Sequence, residues 1–136
     1  MKSESNLWKQ VKRNTQGVVW TRIESNTGLG IPDLFGFYRR AFWVELKIIR
    51  NNKLLFSPHQ IAWLHKHYNI GCPVFVLAKD PLTGSTRLYP GAIVRDPSSI
   101  ADKPPLWSSK HGTWPELLEL LGTWRAPSPV KSTDLH

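Results

Sequence analysis

The stretch GLGIPDLFGFYRRAFWVELK, residues 28–47, decides the fold. It reads as a Gly-rich turn, an Asp directly after a Pro, a strand, a tight turn and a second strand. Alternate residues of a strand share one face. Glu45 and Lys47 therefore project together, and Phe42, Val44, Leu46 and Ile48 fill the other face. In an antiparallel pair, residues directly opposite each other lie on the same face of the sheet. If Asp33 faces Glu45, then Phe37 faces Ala41 and residues 38–40 make a three-residue turn. If Asp33 faces Lys47, the loop runs from Tyr38 to Phe42. Either odd-length loop gathers Asp33, Glu45 and Lys47 on one face. A two-residue turn of Arg39 and Arg40 sends Asp33 to the wrong side, because a slip of one residue inverts every side chain. The odd-length loop is the expectation.

The chain of 136 residues is long enough for one domain with a real core. Hydrophobic residues make up 40%, which excludes a disordered chain. A net charge of +8 favours a polyanionic partner, a nucleic acid or an acidic membrane surface. The single cysteine, Cys72, excludes an internal disulfide framework and a cysteine-built zinc site. No leader and no apolar run of membrane-spanning length stands out, so a soluble intracellular protein is expected, cytoplasmic and without a membrane partner.

Outward from the central stretch, residues 4–14 predict a first helix with a narrow stripe of Leu7, Trp8 and Val11. Its Lys9, Lys12 and Arg13 face elsewhere, as a phosphate-contacting side or an ordinary solvated one. Residues 18–25 predict a strand whose Arg22 and Glu24 could border the same cleft as Asp33. The glycines of residues 26–31 allow positive φ and close backbone approach; no helix follows them, which rules out a dinucleotide fingerprint. Strands are expected at 33–37 and 42–48, then a basic connection over 49–56. Ser57, Pro58 and Gln60 announce a second helix with a capping box, ended by Gly71. A buried strand over 73–79 and a short strand TRLYP follow. Residues 96–113 read as a loop, residues 114–121 as a short helix capped by Thr113, and 125–136 as a disordered tail. The domain division is thus a core over 1–95, an accessory loop and helix over 96–124 packed on the same domain, and the tail. The order α-β-β-β-α-β-β predicts an α/β sandwich, a mixed, mostly antiparallel sheet covered by helices.

This order, with IPD at 31–33, VELK at 44–47 and SPHQ at 57–60, resembles the PD-(D/E)xK nuclease superfamily. Within it the chain is most similar to small virus-type replication-repair and Holliday-junction-resolvase-like members of the kind found in phages and mobile elements. The similarity covers roughly residues 4–90. It implies a restriction-endonuclease-like α-β-β-β-α-β core and a metal-dependent DNA endonuclease, selective for branched DNA or nicking, in replication, recombination or phage DNA processing. Asp33 and Glu45 would ligate Mg²⁺ or Mn²⁺, with the backbone carbonyl of Leu46 as a further ligand. Lys47 would orient and help deprotonate the attacking water, and Gln60 would assist. One more acid is expected from the first strand or helix, Glu24 first and Glu4 second. No small-molecule cofactor is implied.

The chemistry points the same way without the family. Clustered carboxylates repel each other and repel a phosphate backbone, so a hard cation between them is the natural remedy. Each residue also has a plain alternative: a turn Asp after Pro for Asp33, a surface ion pair for Glu45 and Lys47, the capping box alone for Gln60, and a pair with Arg22 for Glu24. Arg39 and Arg40 at the hairpin tip, with Arg50, Lys53 and Lys66 beyond the motif strand, are the candidate DNA contacts. Trp43 shares the face of Glu45 and is expected to line the cleft. A resolvase-like enzyme cuts two strands symmetrically, so a homodimer is expected, through the apolar surface of 114–124 or an edge strand. The alternative is a basic domain that binds nucleic acid without cutting it.

Overall fold

The structure is a computed structural model that describes residues 2–23 and 28–127. Helix α1 spans Lys2–Asn14, strand β1 Val19–Arg22, β2 Leu34–Tyr38, β3 Arg40–Ile48, helix α2 Pro58–Asn69, β4 Val74–Lys79, β5 Thr86–Pro90, β6 Trp107–Ser108 and helix α3 Trp114–Thr123. The six strands form one sheet in sequence order. Only β3 and β4 pair in parallel; α2 crosses between them. The other neighbours are antiparallel, so the sheet is mixed and mostly antiparallel, as expected.

Alternation sorts the strands into two faces. Phe42, Val44 and Leu46 of β3 join Leu34, Phe75, Leu77 and Leu88 on one face, under α1 and α3. Leu7 and Val11, four apart on α1, and Leu117 and Leu121, four apart on α3, supply the helical half of that core. Over Gly36, where an added Cβ would lie 2.5 Å from Phe42, the ring of Trp20 meets Phe42 edge-on at 5.6 Å. The opposite face carries Val74, Val76, Ala78 and Tyr89 beneath Leu64 of α2. Strand β4 is buried on both faces over residues 74–78, which suits their unbroken apolar run before Lys79.

Three local expectations change. Strand β1 ends at Arg22, shorter than 18–25, and its Val19 is 70% exposed because no helix covers that edge on the α2 side. Residues 96–113 are not a plain loop. Ile100 is buried in the second core, Ile100–Asp102 form a 3-10 turn, and β6 pairs with β5. Helix α3 spends its apolar side on the first core, with Leu117 and Leu121 buried, so it is not a spare surface for a second copy. Residues 128–136 of the expected tail lie outside the described residues. Among the described residues no helix is long and apolar enough to cross a membrane.

The hydroxyl of Tyr89 is buried without a hydrogen-bond partner among the described residues. Desolvating such a group costs about 1–3 kcal/mol, whereas removing it with its ring kept costs little. Tyr89→Phe is expected to unfold at an equal or higher urea midpoint than the parent. Leu117→Ala should lose about 2–5 kcal/mol. A Tyr89→Phe protein destabilised by more than the experimental error would overturn the first expectation.

Candidate active site

The polar group begins with strand register. Leu34 pairs with Val44 and Phe37 with Ala41, so Asp33, one step before β2, comes opposite Glu45. This is the expected odd-length connection, with Arg39 alone at the tip in the left-handed region at φ 66°. Two hydrogen bonds tie the segments together there. Asp33 N–H donates to Glu45 Oε1 at 3.2 Å, and Leu46 N–H donates to Asp33 Oδ2 at 2.9 Å. The two carboxyl groups therefore share one small volume.

Helix α2 closes that volume. Its N-cap is Ser57, whose Oγ accepts from Gln60 N–H at 3.1 Å, and the Gln60 side chain returns through Oε1 to Ser57 N–H at 3.0 Å. Gln60 is not only a cap. The same Oε1 accepts from Lys47 Nζ at 3.0 Å, and Nε2 donates to Glu45 Oε2 at 2.9 Å. Lys47 Nζ lies 3.4 Å from Glu45 Oε2 and 4.8 Å above the ring of Phe56. Gly30 locks the helix start against the turn. It has φ 78°, and a Cβ there would stand 2.2 Å from the carbonyl oxygen of His59 and 2.6 Å from Gln60 N. Only glycine permits that approach.

Burial makes the group costly. Glu45 is 3% exposed. Burial, then the neighbouring Asp33 carboxylate, push its pKa up from 4.5 to about 8, against the opposing pull of Lys47 and of the hydrogen bonds from Asp33 N–H and Lys47. Between these values the unfolded chain carries the charge and the folded chain holds the proton. Folding is thus favoured most below about pH 4.5, and that contribution is lost as pH rises through 8.

The remaining predicted residues separate. Arg50 lines a pocket of about 140 Å³ with Lys47, Ile48, Leu55, Ser3 and Glu4, so the start of the first helix borders the same pocket as the lysine. Glu24 lies outside the described residues. Arg50 and Lys53 flank a tight turn whose Asn51 and Asn52 have φ 53° and 57°. Arg40 is not a free DNA contact. It lies on the opposite face of β3 from Glu45, where Nε donates to the carbonyl of Leu121 at 3.1 Å and Nη2 to that of Trp124, capping the end of α3. Arg39 pairs with Glu119 of α3 at 3.3 Å. Lys66 is exposed six positions beyond Gln60, about 240° around the helix, and points away from the group. Arg22 pairs with Leu34 and so faces away from Asp33. Trp43 is partly buried, with Phe35 at 4.9 Å and Trp63 at 5.3 Å, and walls the cleft rather than lying open in it.

Among the described residues no three His, Cys, Asp or Glu side chains stand close enough to hold a metal together. The two carboxyl groups sharing one volume are nonetheless hard oxygen donors of the kind Mg²⁺ takes.

No protein-family model and no curated protein matches the sequence. Among solved structures, the chain is similar to Hjc, a Holliday junction resolvase of the archaeal hyperthermophile Archaeoglobus fulgidus. The TM-score is 0.50 at 19% identity, over 66% of this chain and 74% of that one. The two chains share a fold. It is the resolvase-like α/β core that the order of elements implied, with a mixed sheet between helices.

Two outcomes follow from this geometry. The melting temperature of the metal-free protein should fall between about pH 5 and 8, and Glu45→Gln should flatten that fall. Equal pH dependence in the two proteins would remove Glu45 as its source. Gly30→Ala should destabilise the protein and detach the start of α2, which hydrogen exchange at the Ser57 and Gln60 amides would register as reduced protection.

Proposed function

We propose that this protein is a divalent-metal-dependent endonuclease that hydrolyses phosphodiester bonds in DNA, with branched DNA as its candidate substrate. The observation that carries the reading is the placement of Asp33, Glu45, Lys47 and Gln60 in one hydrogen-bonded group at the C-terminal end of β3. A surface ion pair does not account for it. Glu45 is buried beside a second carboxylate, an arrangement that costs stability. The fold shared with a Holliday junction resolvase supports the same reading.

Asp33 and Glu45 would hold Mg²⁺ or Mn²⁺, with the carbonyl of Leu46 as a third donor. When bound, the ion supplies positive charge to the phosphoryl group and lowers the pKa of a water molecule. Gln60 fixes the Glu45 carboxylate through Nε2 and the lysine through Oε1, so both reach the substrate in one orientation. Lys47 places its ammonium where negative charge develops on the phosphate. Glu4 lines the same pocket as Lys47 without joining Asp33 and Glu45 as a third metal-ligating acid. Symmetric cutting of two strands calls for a second copy, and β1, paired on one side only among the described residues, is the sheet edge it could use.

Purified protein is expected to cut a four-way junction with Mg²⁺ and not with EDTA. Lys47→Ala should lower the single-turnover rate by about two to three powers of ten, with DNA binding retained. Wild-type protein that binds the junction but never cleaves any DNA with Mg²⁺ or Mn²⁺ would sink the proposal.

A further inference from the structure

Helix α1 starts at the candidate active site and carries a row of cations away from it. Ser3 and Glu4 line the pocket that holds Lys47 and Arg50. Further along, Lys9, Lys12 and Arg13 stand at i, i+3 and i+4, so they crowd one side of the helix. All three are exposed, and none forms an ion pair among the described residues. Like charges at this spacing destabilise a helix. The helix dipole favours Lys12 and Arg13 in the last turn, but it does not call for Lys9.

The three cations border a concave surface of about 520 Å³, completed by Thr15, Gln16, Val18 and Trp20. Its floor is rigid. Thr15 is buried, its Oγ1 donates to the carbonyl of Val11 at 2.6 Å, and it accepts from Trp20 Nε1 at 2.8 Å. Trp8 meets Trp20 edge-on at 6.0 Å, and Lys12 Nζ stands 5.5 Å over the Trp8 ring. A hydrogen-bonded polar and aromatic floor with exposed cations on its rim, none of them in an ion pair among the described residues, suits a ribose-phosphate backbone better than an apolar ligand.

We propose that this concavity is a phosphate track that holds the backbone of a DNA duplex as it leaves the active site. The proposal rests on the nuclease reading for the nature of its partner. At about 1.5 Å per residue, Lys9 to Arg13 lie about 7–14 Å along the helix from Glu4. A duplex strand advances about 3.4 Å per nucleotide. The track thus meets phosphates about two to four nucleotides from the bond that is cut, and the protein senses duplex on that flank of the cleavage point.

The experiment is duplex binding by the full chain in EDTA over a series of salt concentrations. Lys9→Gln, Lys12→Gln and Arg13→Gln are combined in one variant. A control of equal charge combines Lys103→Gln, Lys110→Gln and Arg125→Gln. Each phosphate left without its cation should flatten the slope of log K against log[salt] by about 0.9, so the α1 variant should fall short of the wild type by about two to three units of slope. The control should keep the wild-type slope, and both variants should melt near the wild-type temperature. Equal slopes for the two variants would overturn the track and leave the nuclease reading intact. Wild-type protein that binds through the track yet never cuts with Mg²⁺ overturns the nuclease reading instead. No measurable duplex binding by the wild type overturns the track.

Discussion

The register between β2 and β3 is the constraint on which the rest depends. Phe37 against Ala41 sets Asp33 against Glu45, and a slip of one residue would turn Asp33 to the far side of the sheet. The tip does not set this register by being comfortable. Arg39 occupies the left-handed region, a conformation that costs a residue with a side chain about 1–2 kcal/mol. The core enforces it. Leu34 of β2 and Phe42 and Val44 of β3 are at most 1% exposed on the face under α1 and α3, and a slip of either strand would turn that strand's core residues to the opposite face. Burial of several side chains at about 1.5–3 kcal/mol each outweighs one strained residue.

The same register loads the polar end of the sheet with a cost. Two carboxyl groups meet in a partly closed space, and the buried one is driven toward its neutral form. Lys47 and Gln60 offset part of this, and Gln60 does so from within a capping box that would hold the helix start anyway. Gly30 then presses the turn onto His59 and Gln60, so the acid after Pro32 and the helix that orients it move as one unit. A site held out of its lowest-energy state by rigid surroundings is the usual arrangement where a charged ligand completes the balance.

The two faces of the sheet divide the labour. One is closed by α1 and α3, and it draws Arg40 onto the last carbonyls of α3 and Arg39 onto Glu119. The other is covered by α2 and keeps the polar group at the end where β3 finishes and α2 begins. Helix α1 links the two, with its start beside Lys47 and its basic side facing outward.

The sequence by itself determined the main helices, the central strands and the grouping of Asp33, Glu45 and Lys47. Alternation placed Glu45 with Lys47, the odd-length loop brought Asp33 to them, and Ser57, Pro58 and Gln60 marked the helix start, because these signals repeat over two to four residues and need no distant partner. Only the tertiary structure decided which cations stay free. Arg39 and Arg40 look alike from the chain, but Arg40 is held by the last carbonyls of α3 while Arg39 makes an exposed pair with Glu119. It also turned Gln60 from a cap into a bridge, set the start of α1 on the pocket that holds Lys47, and committed α3 to the core. Contacts between residues far apart in the chain depend on how the layers stack, and local periodicity carries no record of that stacking.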